Sequence, residues 1–414
     1  MNRQTLNLGV FGFGCVGQGL YDVLHQTQGI KAEIKRICVK DRNKERRLPE
    51  AYFTFDKNDI LNDPNINIVV ELIDDADAAY EIVTAAMKNG KGVVTANKKM
   101  MAEHFEELFN LQHECGVPLL YEGAACASIP IIRNLAEYYD NDLLSGIEGI
   151  FNGSSNYILS KVCRDGVAYN EALKEAQDLG FAETDPTLDV GGFDPKYKLL
   201  ILTAHAFGVF LQPENIFNCG IQTLNEHDMK FLSEKGWRIK LMATAKKIGN
   251  KLCTYVLPQM MSHQHKLWHV EDEYNGVIVE AAFSDQQFFV GKGAGSFPTG
   301  SAVLSDISAL TYNYKYEYKK YHQQLDIKHT NDFLVEIYLR YYDKKVLDDV
   351  HFVSVEESFR SKQHNYIIGK VNWGELMCSP IVQNPDVFIS QTINETIEVV
   401  KEKETASKAI LEMA

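Results

Sequence analysis

The stretch Leu6–Gly17, LNLGVFGFGCVG, decides the fold of the N-terminal region. Its apolar start is typical of a β-strand, and it leads into a helical pattern that ends near Gln26. Between the two lie three glycines at GxGxxG spacing, which permit a tight turn, a close approach of the backbone to a pyrophosphate, and close helix packing. A lone motif of this kind is weak, but its place between a strand and a helix predicts a dinucleotide site. The candidate cofactor contacts are Gly12, Phe13, Gly14, Cys15, Val16 and Gly17.

Strand and helix patterns alternate along the rest of the N-terminal region. The predicted strands are Glu33–Val39, Ile66–Leu72, Gly92–Thr95 and Val117–Tyr121, and Ala76–Lys88 is predicted to be a helix. Alternation at this spacing predicts a parallel sheet with helices on both faces. We expect this nucleotide-binding domain to occupy residues 1–130.

The pattern changes after residue 130. Leu143–Phe151 resembles a strand, Lys196–Phe210 is a strongly apolar helix pattern, and Trp237–Gln259 is predicted to be a hairpin. We therefore expect an α+β domain with a mostly antiparallel sheet over residues 131–320, of which 310–320 could pack back on the first domain. Leu334–Tyr342 is an alternating strand pattern, and we expect a small α+β module over residues 325–414.

Composition narrows the class of protein. The formal net charge of −14 argues against a nucleic-acid partner, which requires a basic surface. No apolar run approaches the roughly 20 residues that span a bilayer, and the N-terminus leads directly into a strand pattern without a signal peptide. The eight cysteines are scattered without a CxxC pair, which favours reduced thiols and a cytoplasmic protein.

Basic residues follow the second predicted strand, where a dinucleotide fold distinguishes NAD from NADP. An acid there would bind the ribose 2′-hydroxyl, and arginines would accept a 2′-phosphate. Lys40 and Arg42, with Arg46 and Arg47 behind them, favour NADP, whereas Asp41 leaves NAD open. A solvated charged loop is the alternative interpretation.

The segment LGFAETDPTLDVGGFDPKYKLLILTAH, Leu179–His205, carries the clearest chemistry. It places four carboxylates and two lysines beside an apolar helix. Carboxylates can hold an ammonium group, and a lysine can accept the hydroxyl proton when an alcohol loses a hydride. Asp194 precedes Lys198 by four residues, so the two share a helix face, although a surface ion pair is the plain alternative. His205 lies on the same face and is interpreted as a packed helix histidine.

Several segments together resemble homoserine dehydrogenase, in that family's order and approximate spacing over residues 5–310. Besides the glycine turn they are VVTANKK (93–99), YEGAACASIP (121–130), GIFNGSSNYIL (149–159), LGFAETDPTLDVGGFDPKYK (179–198) and GKGAGSFPTGSAVLSD (291–306). The resemblance implies a Rossmann-like cofactor domain, a substrate and dimerisation domain, and interconversion of L-homoserine and L-aspartate 4-semialdehyde with NAD or NADP. It also implies a homodimer or higher homo-oligomer.

The resemblance implies a role for each matching residue. Lys198, Lys98 and Asp194 would be catalytic. The substrate would be held by Glu183 and Asp189 at its amino group, together with Gly153, Ser154 and Phe181. Asn97, Gly293 and Gly295 would add cofactor contacts. Glu122, with the carbonyls of Ala125 and Ala127, would match a monovalent cation site for Na⁺ or K⁺. Two lysines that converge on one site are expected to depress each other's pKa.

Three features depart from the family pattern. Asp74 and Asp75 stand where glycines are common, close to the expected nicotinamide or its ribose. Phe181 replaces a frequent tyrosine and so removes one hydroxyl contact. The C-terminal module resembles a regulatory ACT extension by its position, but the glycine turn and helix expected after its first strand are unclear, so threonine inhibition is not assumed.

Two alternatives remain open on the sequence. Another dehydrogenase of amino-acid semialdehydes would need a nucleophilic cysteine with a histidine partner, and Cys126 is the only cysteine in a plausible place. A catalytically silent NADP-binding regulatory protein is the other. Both lysines and the site acids are retained, which argues against the silent protein.

Overall fold

The computed structural model describes residues 5–141, 143–394 and 396–400. Within these residues the N-terminal region forms a six-stranded parallel sheet. In chain order its strands are Leu6–Phe11, Ala32–Cys38, Phe53–Thr54, Ile68–Glu71, Gly92–Thr95 and Leu119–Leu120. Their spatial order is 3-2-1-4-5-6, which is the Rossmann order and confirms the predicted fold class.

Helices lie against this first sheet because parallel strands need crossover connections, most of which are helical here. They are Cys15–Gln26, Asn58–Leu61, Ala76–Lys88, Lys98–Glu103 and Phe105–Cys115. Ala76–Lys88 begins and ends where the sequence predicted, because Asp75 caps its first turn by accepting a hydrogen bond from the Ala78 amide at 3.0 Å. The strands Leu6–Phe11, Ile68–Glu71 and Gly92–Thr95 are almost fully buried, as expected for a parallel sheet covered on both faces.

A second sheet contains twelve strands within the described residues, and antiparallel pairs dominate it. Its main path runs Asp285–Lys292, Tyr274–Ala281, Leu144–Ile150, Arg238–Ile248, Lys251–Met261, Phe388–Gln391, Phe333–Tyr341, Asn365–Asn372 and Phe352–Arg360. The short strands Phe217–Asn218 and Lys328–Thr330 pair with Lys251–Met261, and Glu398–Val399 pairs with Phe333–Tyr341. The predicted hairpin turns at Gly249, whose φ of 61° is the left-handed conformation that glycine favours.

The helices that follow the first domain pack around the second sheet. They are Ile131–Arg133, Gly153–Ser160, Tyr169–Asp178, Thr187–Val190, Phe193–Phe207, Glu226–Lys235, Ser296–Leu310 and Lys319–His322, with π-helical turns at Asn134–Tyr138 and Lys161–Asp165. Phe193–Phe207, here called the site helix, is buried along almost its whole length. It lies between the second sheet and the helix Lys98–Glu103 of the first domain.

The C-terminal module, Phe333–Val400, continues the second sheet. Its four longer strands lie in the order 4-1-3-2 with antiparallel neighbours, which is the ferredoxin-like arrangement of a βαββαβ chain. Short helical segments stand where that arrangement has its two helices: Lys344–Asp349, then Trp373–Cys378 followed by Pro380–Gln383. Gln391 pairs with Gln259, which joins the module to the substrate sheet. The ACT interpretation stays a prediction.

A helix–helix contact and a buried ion pair join different parts of the chain. The helix Ser296–Leu310 packs along Cys15–Gln26 of the first domain. In the module, Arg340 is buried and lies 3.2 Å from the carboxylate of Asp228, and it also donates to the carbonyls of Thr223 and Asp386. All eight cysteines are free thiols. Within the described part of the chain, no helix combines the length and the apolar character needed to cross a membrane.

Candidate active site

The glycine turn, Gly12–Gly17, lies at the carboxyl end of the first strand. Gly12 has a φ of 94°, and a Cβ there would lie 2.6 Å from the carbonyl oxygen of Leu72. A Cβ on Gly17 would meet the carbonyl oxygen of Gly12 at 2.5 Å, whereas one on Gly14 would meet nothing within 4 Å. Gly12 and Gly17 therefore form the turn, and Gly14 leaves open space for a phosphate at the start of the helix.

The segment that follows Gly293 lies beside this turn. Ser296 donates a hydrogen bond from its hydroxyl to the carbonyl of Cys15 at 2.8 Å, and Gly295 has a φ of 118°. Gly293 itself lies against the side chain of Asn275, where a Cβ would find no room. The structure therefore brings the glycines that the sequence predicted for the cofactor to one edge of the first domain.

The buried carboxylate of Glu71 forms hydrogen bonds across the same edge of the first sheet. Glu71 accepts hydrogen bonds from the Thr95 hydroxyl and the Ile73 amide, both at 2.6 Å. Burial raises the pKa of Glu71 to about 7, although these two hydrogen bonds lower it. Asn97 donates to the carbonyl of Ile73 and accepts from the Met100 amide, so it caps the helix that begins at Lys98. Asn97 thus contributes to the shape of the edge and to the position of Lys98.

Two lysines from different domains meet on one carboxylate. Lys98 Nζ lies 2.7 Å from Oδ1 of Asp194, and Lys198 Nζ lies 2.9 Å from Oδ2. Lys198 also donates to the carbonyl oxygen of Phe151 at 2.6 Å. The side chains of Asp194 and Lys198 are 4% and 6% exposed, whereas that of Lys98 is 43% exposed. The predicted pair is therefore buried and is not a surface ion pair, and Lys98 is the more exposed partner of the cluster.

The charged groups of this cluster shift the pKa values of Asp194 and Lys98. Burial alone would raise the pKa of Asp194, but the ammonium groups of Lys198 and Lys98 outweigh it and hold that pKa well below its usual range. The charge of Asp194 in turn raises the pKa of Lys98, more than burial lowers it. The expectation that the lysines depress each other's pKa is wrong for Lys98, because the shared carboxylate lies between the two ammonium groups.

The remaining predicted substrate residues lie around this cluster. Asp189 accepts a hydrogen bond from the side-chain amide of Asn152 at 2.8 Å, and burial raises its pKa. Glu183 is exposed, in the loop before Asp189. Phe181 packs against Tyr157 with ring centroids 4.9 Å apart, and its carbonyl accepts from the Ser154 hydroxyl. Gly153 begins the helix behind them.

Two contacts in the site were not anticipated from the sequence. The Asn152 amide donates to both Asp189 and Asp194, and the Phe151 carbonyl accepts from Lys198. Asn152 also caps the helix Gly153–Ser160 with its side-chain oxygen. Its two amide donors could have been noticed as a means of joining carboxylates, but a backbone carbonyl has no sequence signature.

The predicted cation residues form part of a separate buried cluster. Both carboxylate oxygens of Glu122 accept backbone amides, from Ile132 at 2.9 Å and Arg133 at 3.0 Å. Asp306 accepts from the amide of Glu122 and pairs with Arg133. Burial, and then the charge of Asp306, raise the pKa of Glu122 to about 8. Among the described residues, no group of three or more His, Cys, Asp and Glu side chains is arranged to hold a metal ion.

The basic residues after the second strand divide into two groups. The Arg42 guanidinium lies 4.7 Å from the centre of the Phe55 ring, and Lys40 is exposed. Arg47 instead pairs with Asp22 at 2.7 Å, and Arg46 donates to backbone carbonyls of its own loop. Arg46 and Arg47 therefore have local partners.

His205 and Cys126, the two other residues considered for a catalytic role, are both buried. His205 is buried against Tyr121, whose hydroxyl lies 2.8 Å from Nε2, and burial lowers the pKa of His205 to about 3. It is a packed histidine, as interpreted from the sequence. Burial raises the pKa of the Cys126 thiol to about 12. A thiol that stays protonated cannot act as the nucleophile that the semialdehyde alternative requires.

The chain is similar to one enzyme family along most of its length. A family model described as homoserine dehydrogenase matches residues 130–308, and one described as the NAD binding domain of homoserine dehydrogenase matches residues 12–122. The homoserine dehydrogenase of Bacillus subtilis (strain 168) is 35% identical over 319 residues, covering 75% of this chain and 74% of that protein. That of Neisseria gonorrhoeae is 37% identical over 315 residues, covering 73% and 72%.

Solved structures agree with this. A homoserine dehydrogenase from Thiobacillus denitrificans superposes with a TM-score of 0.82 at 31% identity, covering 94% of this chain and 98% of that one. A hyperthermophilic archaeal homoserine dehydrogenase in complex with NADPH gives a TM-score of 0.65 at 25% identity, covering 76% and 99%. Together with the two domains and the lysine–aspartate cluster described above, these similarities show that the chain belongs to the homoserine dehydrogenase family and is an NAD(P)-dependent oxidoreductase of amino-acid biosynthesis.

Proposed function

We propose that the cluster of Lys98, Asp194 and Lys198 is where this enzyme interconverts L-homoserine and L-aspartate 4-semialdehyde. The observation that carries the proposal is that lysines of both domains share the carboxylate of Asp194. The cofactor, bound on the glycine turn, would supply the hydride acceptor. The residues of the cluster would hold the alcohol and move its proton.

The two lysines have different roles in this proposal. Lys98 keeps its proton, because Asp194 raises its pKa, and its ammonium group stabilises negative charge on the substrate oxygen. Lys198, in its uncharged form, accepts the hydroxyl proton during oxidation. Asp194 stabilises the ammonium group that this transfer forms. Because oxidation of the alcohol releases a proton, it should be favoured as pH rises.

The acids beside the cluster provide a place for the substrate's amino group. Glu183 and Asp189 lie near Lys98, where a second positive charge would be favourable. The homoserine ammonium group would bind there, which directs its hydroxyl toward the lysines.

A spectrophotometric assay with L-homoserine and each cofactor tests the assignment. We expect NAD(P) reduction that needs homoserine, and we expect Glu183→Gln to raise the KM for homoserine about tenfold or more with little change in cofactor affinity. Glu171→Gln is the matched control, because that carboxylate lies on a neighbouring helix outside the cluster. An unchanged KM in Glu183→Gln would remove Glu183 from the amino-group role, and an inactive wild-type enzyme would contradict the whole proposal.

For the cofactor we propose a preference for NADP. Arg42 and Lys40 follow the second strand and are free of carboxylate ion pairs among the described residues, so they can receive a 2′-phosphate. NADPH in the archaeal structure is consistent with this. Arg42→Ala should raise the KM for NADP at least tenfold and leave that for NAD nearly unchanged. Arg46→Ala is the control, and equal effects of Arg42→Ala on both cofactors would contradict the preference.

We also propose that Na⁺ or K⁺ binds beside Glu122. Two buried carboxylates, Glu122 and Asp306, face a single guanidinium, and this negative excess would be relieved by a cation. Because backbone amides already occupy the Glu122 oxygens, the ligands would include the carbonyls of Ala125 and Ala127. The melting temperature should rise in NaCl or KCl relative to choline chloride at equal ionic strength, and equal values in all three salts would exclude the site.

Finally, we propose a homodimer formed through the second sheet. Its edge strand, Asp285–Lys292, exposes Phe288 and Val290, and Phe283 beside it is 87% exposed. Apolar side chains on an open sheet edge are a common basis for self-association. Light scattering after size exclusion should give twice the monomer mass for the wild type and the monomer mass for Val290→Glu.

A further inference from the structure

We propose that Asn152 is a positioning residue that holds Asp189 and Asp194 in one fixed geometry, and so joins the substrate's amino-group site to the proton-transfer site. The proposal rests on the proposed function for the meaning of those two sites. Asn152 would not touch the reacting atoms; it would act through the two carboxylates.

The contacts of Asn152 are directed to both sites at once. Its side-chain nitrogen donates to Oδ1 of Asp189 at 2.8 Å and to Oδ2 of Asp194 at 2.9 Å. Its side-chain oxygen accepts from the Ser155 amide at 2.7 Å. An amide NH₂ has two hydrogens, so one side chain satisfies both carboxylates while its oxygen is fixed by the helix start. Asn152 is 4% exposed, which leaves it little freedom to adopt another arrangement.

The same segment also fixes the proton-transfer lysine. The carbonyl of Phe151, the residue before Asn152, accepts a hydrogen bond from Lys198. One short stretch of backbone at the end of the strand Leu144–Ile150 thus holds Lys198, Asp194 and Asp189 together. A shift of this stretch would move all three groups in concert.

Charge explains why an amide is needed at this position. The ionisable groups around it are Asp189, Asp194, Lys98, Lys198 and Glu183, with Cys126 nearby. Two neighbouring carboxylates repel each other, and a partner that donates a hydrogen bond to both offsets this repulsion. An acid in place of Asn152 would add a third negative group, and a hydroxyl would provide a single donor.

Asn152→Asp and Asn152→Ser form a matched pair for the test. Both keep a side-chain oxygen that can cap the helix Gly153–Ser160, so they separate positioning from capping. For Asn152→Ser we expect kcat/KM for homoserine to fall at least tenfold, with a cofactor Kd within threefold of the wild type. For Asn152→Asp we expect the activity relative to the wild type to fall as pH rises, by up to tenfold per pH unit, as the third carboxyl group loses its proton.

A substrate-free measurement accompanies the assay. The folded Asp variant should bind a proton more tightly than its unfolded chain, because the neighbouring carboxylates raise the pKa of the group. Its stability relative to Asn152→Ser should therefore decline as pH rises above the ordinary aspartate value of about 3.9. Denaturant unfolding from pH 4 to 8 reports this without any turnover.

The outcomes are distinguishable. A wild-type kcat/KM in Asn152→Ser would overturn the proposal, and so would parallel pH profiles and equal losses in the two variants, since a helix cap alone would then explain the residue. If the wild type does not oxidise homoserine, the proposed function fails. The unfolding measurement then still tests Asn152, because a pH-independent difference between the variants would show that it does not hold two carboxylates.

Discussion

The carboxylate of Asp194 forms ion pairs with two lysines that lie on different helices, and the two lysines differ in burial. Lys198 is nearly inaccessible, whereas Lys98 is close to half exposed. Removing one partner of a buried ion pair costs about 3–5 kcal/mol because the other charge stays uncompensated, whereas an exposed pair contributes about 0–1 kcal/mol. We therefore expect the two lysines to contribute differently to the stability of the fold, even if both are needed for turnover.

Lys198→Met and Lys98→Met test this difference. Both should reduce kcat at least a hundredfold, since each removes an ammonium group from the cluster and keeps an apolar stem. Lys198→Met should lower the free energy of unfolding by at most roughly 3 kcal/mol, since Asp194 keeps one ammonium partner, and Lys98→Met by less, since Lys98 is partly exposed to water. Denaturant unfolding and steady-state kinetics measure both effects. Equal stability losses would show that exposure does not distinguish the lysines.

The spacing of residue types anticipated one contact of this site. Asp194 and Lys198 are four residues apart on a helix, and the structure places them in contact. That Lys98 converges on the same place was implied only by the family resemblance, because its contact with Asp194 depends on how the domains pack. The Phe151 carbonyl was missed for a related reason: it depends only on the backbone path at the end of a strand.

At the scale of elements, the glycine turn shows how one motif combines different requirements. Gly17 is needed by the fold, since a Cβ there would lie 2.5 Å from a backbone oxygen, and Gly14 is in open space. Gly14→Ala should leave the melting temperature within about 2 °C and raise the cofactor Kd at least tenfold. Gly17→Ala should both lower the melting temperature and weaken binding. Calorimetric titration with NADP would contradict this if Gly14→Ala bound normally.

The carboxyl edge of the first sheet provides a pH-dependent prediction. Burial raises the pKa of Glu71 from its ordinary 4.5 to about 7, so between these values the folded chain holds a proton that the unfolded chain has lost. The stability contribution of Glu71 therefore declines as pH rises through this window, by up to about 1.4 kcal/mol per pH unit.

Glu71→Gln isolates this effect, because glutamine resembles the protonated acid. Its stability relative to the wild type should increase steadily from pH 4.5 to 7 and level off above the pKa of about 7. Denaturant unfolding at several pH values measures the difference, and the exposed Glu81→Gln serves as control. A pH-independent difference would show that Glu71 is ionised in the folded protein at all these values.

Element boundaries were predictable where local chemistry marks them. Asp75 caps Ala76–Lys88, and that helix matches its prediction. The helix Gly153–Ser160 is followed by a π-helical turn at Lys161–Asp165, a geometry that periodicity does not reveal. The site helix begins at Phe193, three residues before its prediction, because Gly192 with a φ of 83° sets its start.

At the scale of the whole molecule, the C-terminal module shares a sheet with the substrate domain. The strand predicted over Leu334–Tyr342 is found at Phe333–Tyr341. The sequence could not show the pairing of Gln391 with Gln259, which depends on contacts across more than a hundred residues. The buried Arg340 and Asp228 strengthen this connection. We therefore expect the two parts to unfold together.

Arg340→Met tests this coupling. The variant leaves Asp228 buried without its guanidinium partner and should lose about 3–5 kcal/mol of stability. Scanning calorimetry should show one transition for the module and the substrate domain, shifted to lower temperature. The double variant Asp228→Asn with Arg340→Met should recover part of the loss. A separate early transition of the module would contradict the coupling.

Lys98 begins a helix of the nucleotide domain, and Asp194 lies on the site helix of the other. Their ion pair therefore joins the two domains. Moving the domains apart would separate these opposite charges, so the ion pair favours the arrangement seen in the structure. In the proposed reaction the substrate's ammonium group would enter beside Glu183 and Asp189 and leave this pair intact, and an uncharged analogue of similar size would lack that contact.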